Sequence, residues 1–141
     1  MSSSTSRVGW MSLLALSAIS CHQPVQANLG QPVDLLVKRA VRYHRSDLDL
    51  YFRRVVSDSR CPRGVDCVTA GEAVVTLEGR ILKAPPESFE VRLPGGEAPD
   101  SAIWKPYDGY RIRLVKLEPY PVAGAPVDTT AYIGTFLIEK R

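Results

Sequence analysis

From Leu48 onward, apolar and polar residues alternate in short runs separated by turn residues, the period-2 signature of half-buried strands. Leu48-Asp49-Leu50-Tyr51-Phe52 alternates, and the pattern slips at Arg53-Arg54-Val55-Val56, which predicts a bulge. Ala73-Val74-Val75-Thr76-Leu77-Glu78 is short and rich in β-branched residues; Ile81-Leu82-Lys83 continues or restarts it before Pro85-Pro86 ends it. Ser88-Phe89-Glu90-Val91-Arg92-Leu93 turns Phe89, Val91 and Leu93 inward, and Pro94-Gly95-Gly96 reads as a turn. Glu97 to Asp108 is loop-like, with Trp104 as its anchor. Tyr110 to Leu117 is a further strand with a slip near Val115. After a proline-bearing connection from Glu118 to Thr130, Ala131 to Ile138 is apolar on both faces and predicts a central strand.

The segment 33–45 is ambiguous. Val33, Leu36, Val37, Ala40, Val41 and His44 recur at helical spacing, with Lys38, Arg39, Arg42 and Arg45 opposite, whereas Leu35, Val37, Val41 and Tyr43 alternate as in strands. The β company downstream favours strand, and the helix stays open. About seven short strands punctuated by turns predict an all-β domain, an antiparallel β-sandwich of immunoglobulin-like type over residues 33–141.

A chain of 141 residues that is 45% apolar and 23% charged is long enough to bury one core. Its formal charge of +3 is spread along the chain and is too mild to imply a nucleic-acid partner. The N-terminus changes the picture more. Met1 to Arg7 is Ser-rich and ends in a positive charge, and Val8 to Ile19 is apolar and uncharged, too short to span a bilayer but suited to the core of a secretory signal. Residues 1–20 are therefore set apart from the fold. Ala18-Ile19-Ser20-Cys21 resembles the lipobox of bacterial lipoproteins, with Ala18 where Leu is usual. That resemblance implies cleavage before Cys21, acylation of Cys21 (palmitate included), and a tether over residues 21–32 carrying Pro24 and Pro32. His22 in place of Asp after the cysteine implies, by the sorting rule of such lipoproteins, the periplasmic face of an outer membrane where the organism has one. The alternative is cleavage at Val25-Gln26-Ala27, which leaves a soluble exported product starting at Asn28.

The densest chemistry lies between residues 58 and 71. Five residues separate Cys61 from Cys67, and Pro62 and Gly64 between them make a tight reversal easy, so the spacing reads as a disulfide-closed loop. A zinc site prefers C-x2-C or paired histidines, and the chain has only His22 and His44; a redox pair prefers C-x-x-C at a helix N-terminus. Arg60 and Arg63 flank the first cysteine and are expected to face water. With Cys61 and Cys67 paired, Cys21 is left over, and lipidation gives it a role. The string Asp58-Ser59-Arg60-Cys61-Pro62-x-Gly64-Val65-x-Cys67-x-x-Ala70-Gly71-x-Ala73-x-Val75 resembles a motif of small exported proteins and lipoproteins of bacteria. Weaker echoes stand at Gly30-Gln31 and at Leu117 to Pro121, and Thr69 replaces the aromatic residue that such proteins often carry before the Ala-Gly pair. The resemblance implies a loop between two strands of a β-sandwich, shaped by Asp58, Arg60, Pro62, Gly64 and Gly71, and brings no activity with it.

Other constellations are weaker. His44, Asp47 and Ser57 or Ser59 supply the residue types of a hydrolytic triad without a G-x-S-x-G elbow. Asp58 and Asp66 are oxygen donors for a small cation site, although solvated loop carboxylates are commoner. Lys38, Arg39, Arg42, Arg45, Arg53 and Arg54 read first as solubilising edge charges, then as a cationic face for anionic headgroups or polysaccharide. Trp104, Tyr107, Tyr110 and Tyr120, with Tyr132, are candidates for a binding surface near the long connection. No catalytic residue, metal ligand or cofactor motif is assigned. The expectation is a cell-envelope lipoprotein, held to the membrane by its lipid, that binds or assembles with an envelope protein or polysaccharide. The alternative is a small exported enzyme or metal-binding protein that uses residues 58–67.

Overall fold

The computed structural model describes residues 23–141; the segment 1–20 expected to be a signal, and Cys21, lie outside the described residues. The strands run in chain order as β1 (Val25–Ala27), β2 (Val33–Leu36), β3 (Ala40–Tyr43), β4 (Leu48–Asp58), β5 (Glu72–Ile81) and β6 (Glu87–Pro94). A single helical turn, α1 (Asp100–Ile103), precedes β7 (Lys105–Tyr107), β8 (Tyr110–Glu118) and β9 (Ile133–Lys140). They form two sheets, β1-β3-β4-β5-β6 and β2-β9-β8-β7, antiparallel throughout except where β1 runs parallel to β3. The two sheets pack face to face as a β-sandwich.

The described strands number nine rather than about seven, because 33–45 is two strands and because β1 and β7 are only three residues each. Between β2 and β3 the chain changes sheets. The Val37 N–H donates to the Tyr132 carbonyl (3.0 Å) beside one sheet, and the Lys38 N–H donates to the Phe52 carbonyl (2.7 Å) of the other. Lys38 turns the corner at φ 65°. Leu35, Val37, Val41 and Tyr43, the alternating set, are buried, so the strand pattern governs and the helical spacing is a by-product of two strands facing one core.

Both slips in the sequence pattern are register shifts. Against β5, β4 shifts between Phe52 and Arg54 and again between Val55 and Ser57, and β8 shifts against β9 between Leu114 and Lys116. The first shift has a purpose that alternation shows. Unbroken alternation would aim Arg54 at the core; the extra residue turns Arg54 to water and half-buries Val55 instead. The second restores the parity, so that Asp58 pairs with buried Ala73 and points back inward.

Segment 21–32 is not a free tether along its length. β1 lies within it, Gly30 N–H donates to the Ile138 carbonyl (2.8 Å), and Val25, Ala27 and Leu29 pack against the core, so the domain starts by Val25 and not at Val33. A strand of three residues leaves no periodicity to detect, and its pairing with β3 is decided by contacts distant in sequence.

The core is mostly Leu, Val and Ile, and two aromatic pairs pack within or against it. Phe52 and Phe136 meet edge to face with centroids 5.2 Å apart, and Phe89 stacks on Tyr107 at 4.6 Å. Gly79 makes the second pair fit, since a Cβ there would lie 2.6 Å from the Tyr107 ring. Tyr43 is the exception to polar satisfaction. Its hydroxyl is buried with no partner among the described residues, and burial pushes its pKa well above the usual phenol value. Tyr43→Phe is therefore expected to stabilise the fold by about 1 kcal/mol, seen as a higher denaturation midpoint at unchanged slope. A midpoint that drops would show that the hydroxyl has a partner.

Candidate functional site at the cysteine loop

The turn from β4 to β5 begins as an extension of their ladder. Ser59 N–H and Oγ–H both donate to the Glu72 carbonyl (2.8 and 3.0 Å), and Cys61 N–H donates to the Ala70 carbonyl (3.0 Å). Beyond this ladder the chain closes on itself through the Cys61–Cys67 disulfide, whose Cα atoms are 5.8 Å apart. A cross-link over so short a loop contributes about 2 kcal/mol at most on the chain-entropy account, so it shapes the loop more than it holds the domain.

The domain is held here by Arg60. Contrary to the expectation that it faces water, Arg60 is only 4% exposed, the one buried charged residue of the described chain. Alternate positions of an extended strand share a face, so Asp58 and Arg60 point the same way. Nε and Nη2 of Arg60 donate to the two carboxylate oxygens of Asp58 at 2.7 and 2.6 Å, a fork on a fork. Nη1 reaches across the sandwich to the Leu117 carbonyl of β8 (2.8 Å), and the Tyr132 hydroxyl donates to Asp58 Oδ2 (3.1 Å). Tyr120 closes the assembly: its ring centre lies 4.6 Å from the Arg60 guanidinium carbon, and its hydroxyl donates to the Cys61 carbonyl (3.1 Å). Backbone bonds from Arg63 N–H to the Pro121 carbonyl (3.0 Å) and from Ala123 N–H to the Arg63 carbonyl (3.2 Å) tie the cysteine loop to the β8–β9 connection. One ion pair and its aromatic partners thus lock the end of one sheet to the end of the other.

The electrostatics follow. Burial opposes charge on both partners, but the hydrogen bonds and attraction between them win: Asp58 is held below the usual carboxylate range and Arg60 above its usual value. Burial first, then the negative charge of Asp58, pushes the Tyr132 phenol up to about 12. Each oxygen of Asp58 is occupied, and the two sulfurs are bonded to each other, so neither Asp58 nor either cysteine is free to act as a base or a thiolate. Asp66 is exposed, and among the described residues no three metal-ligating side chains gather.

The other residues singled out by sequence are dispersed. Pro62 is half-buried and Gly64 sits at the loop tip with φ 92°. Tyr120 belongs to the cysteine end of β8, while Tyr110, Tyr107 and Trp104 lie at its opposite end, so the four do not form one surface. Tyr107 stacks in the core, Tyr110 shares a hydrogen bond with Ser46 (3.0 Å), and Trp104 lies under the Arg111 guanidinium at 4.4 Å. His44 and Asp47 flank the start of β4, and Ser57 and Ser59 its end. The basic cluster is broken up by pairing: Arg42 shares Asp49 with Arg80, and Arg53 pairs with Glu78. The Leu117 carbonyl is a member of the site with no signal in the sequence, and Tyr132, a candidate for a binding surface in the sequence, instead bonds Asp58 inside the fold. The signal within reach was the acid–x–base spacing of Asp58 and Arg60 at a strand end. Comparison of the chain with protein families, with curated proteins and with solved structures finds no match.

Proposed function

We propose that the chain is an exported protein of the bacterial cell envelope, lipid-anchored through Cys21, whose β-sandwich binds or assembles with an envelope protein or polysaccharide and performs no catalysis. The observation that carries this reading is β1. Cleavage after Ala27 would discard all three residues of a strand that hydrogen-bonds to β3 and packs on the core, whereas cleavage before Cys21 keeps it. The Cys61–Cys67 disulfide supports an oxidising compartment. The internal pairing of Asp58, Arg60 and both cysteines supports a binding role over a chemical one, since it leaves none of those four groups free for catalysis or metal binding.

Mass spectrometry of the native mature chain, with and without reduction, tests the anchoring. The expected N-terminal peptide begins at acylated Cys21, and Cys61 and Cys67 become alkylatable only after reduction. A chain that begins at Asn28, or that keeps residues 1–20, would sink the reading.

A further inference from the structure

The outer face of the five-stranded sheet carries a groove. Val41, Leu50 and Leu77 are buried, so the alternate residues Ala40, Arg42, Asp49, Tyr51, Glu78 and Arg80 point away from the core on β3, β4 and β5. The register sets them in two rows across the strands: Ala40 level with Tyr51 and Tyr51 with Glu78, then Arg42 level with Asp49 and Asp49 with Arg80. Ala40 has the smallest side chain of the six, and the surface sinks there. The hollow measures about 350 Å³, at the small end of small-molecule sites, and is bounded by Pro24 before β1 and Pro86 before β6. From the first strand of this sheet to the last is four spacings of about 4.8 Å, about 19 Å in all. A groove of that length suits a chain of linked rings better than a single ion.

Ion pairs on a sheet surface are usually self-contained. Those lining this groove are not. Arg42 gives Nε and Nη2 to the carboxylate of Asp49 (2.8 and 2.9 Å), and Arg80 adds Nη2 to the same carboxylate (3.1 Å). Two half-exposed guanidiniums therefore share one anion, and Nη1 of Arg42 with Nε and Nη1 of Arg80 has no hydrogen-bond partner among the described residues. Glu78 is neutralised by Arg53 through Oε2, which leaves Oε1 as an acceptor. The lining thus combines a surplus of positive charge, planar donor forks, one acceptor and an apolar floor of Ala40 and the Tyr51 ring. A carboxylate fits the forks, a hydroxyl fits Glu78, and a C–H face fits Tyr51. One ring that carries all three is a uronic acid, whose single negative charge matches the surplus where a doubly charged phosphate monoester would exceed it.

We infer that the groove between Pro24 and Pro86 takes an acidic polysaccharide, one uronic-acid residue of which sets its carboxylate on Arg42 and Arg80 and lays its C–H face over Ala40 and against Tyr51. This rests on the reading of the chain as a binder at the envelope surface, and names the ligand class and the face that meets it.

Titration of the mature chain with trigalacturonate, followed by the amide signals in NMR, tests this. The signals of Ala40, Tyr51 and Glu78, one row of the sheet, are expected to move. Arg80→Gln should weaken binding about tenfold, by removing a charge-assisted fork, and Tyr51→Ala about fivefold, by removing the stacking face. Both side chains lie on the outer face, and an unchanged denaturation midpoint verifies that the fold is kept. Neutral galactotriose that moves the same signals with equal affinity overturns the inference, since the arginines would then have no role. Inorganic phosphate that does so overturns it by reducing the groove to a general anion patch. No movement at this row, in a chain whose mass shows acylated Cys21, overturns the inference and leaves the anchoring reading in place. A mature chain that begins at Asn28 has lost the Pro24 wall and overturns both.

Discussion

Asp58→Asn is expected to lower the folding free energy by about 3–5 kcal/mol, the usual cost of removing one member of a buried ion pair. Arg60 is almost fully buried and has no other anion among its contacts; the Leu117 carbonyl at 2.8 Å, the Pro119 carbonyl at 3.5 Å and the Tyr120 ring remain. An asparagine amide makes this worse, because its NH2 group sets donors against the donors of the guanidinium. The Tyr132 hydroxyl loses its charged acceptor in the same substitution. Asp58→Leu combined with Arg60→Met removes both charges, and much of the loss should then be recovered, because an apolar pair of similar volume is often as stable as the ions it replaces. Chemical denaturation of the three variants measures this. If Asp58→Asn alone leaves the midpoint within about 0.5 kcal/mol of wild type, the pair is not the lock described above.

The same pair sets a pH window. The folded-state pKa of Asp58 is depressed, so its contribution is present above the ordinary value of 3.8 and is lost as pH falls below it. Tyr132 is shifted the other way: raised to about 12, it contributes below its ordinary value of 10.0, and this is lost as pH climbs from there towards 12. Stability should fall at both extremes. In Asp58→Asn the acid limb shrinks without vanishing, since Asp49 beside Arg42 and Asp128 beside Thr130 are also held low on the surface. The alkaline limb shrinks too, because part of the Tyr132 shift comes from the Asp58 charge.

Local order was legible in the sequence and long-range order was not, and the division falls where physics puts it. Alternation in 48–52 and 110–117 marks strands, and the slips at Arg53 to Val56 and at Val115 mark bulges, because each is a property of consecutive residues. The 33–45 segment stayed ambiguous because its corner at Lys38 is set by bonds to Tyr132 and Phe52, residues from two different sheets. In sequence alone β1 is indistinguishable from tether for the same reason. At the cysteine loop the disulfide followed from spacing, but burial of Arg60 depends on a carbonyl 57 residues downstream. Tyr120 and Trp104 looked alike as candidates, and β8 separates them by its full length.

Gly71→Ala is expected to cost at least about 3 kcal/mol, and Gly64→Ala only about 1 kcal/mol, although both glycines have positive φ and lie within seven residues of one another. A residue with a Cβ is strained at either position. Gly64, at φ 92°, has nothing within 4 Å of where that Cβ would go, so the conformational strain is the whole effect. Gly71, at φ 67°, would put its Cβ 1.8 Å from the Ser59 carbonyl oxygen and 2.5 Å from its carbon. Those are backbone atoms and cannot rotate aside. They belong to the residue between Asp58 and Arg60, and the Gly71 carbonyl accepts from the Gly95 N–H at 2.9 Å, so a shift of either strand end pulls on the ion pair or on the neighbouring turn. The loss in Gly71→Ala should therefore overlap with that in Asp58→Asn, and the double variant should fall short of the sum of the two. Denaturation midpoints for the single and double variants decide it; a Gly71→Ala protein no less stable than Gly64→Ala would mean that the β4–β5 turn does not hold Asp58 and Arg60 in register.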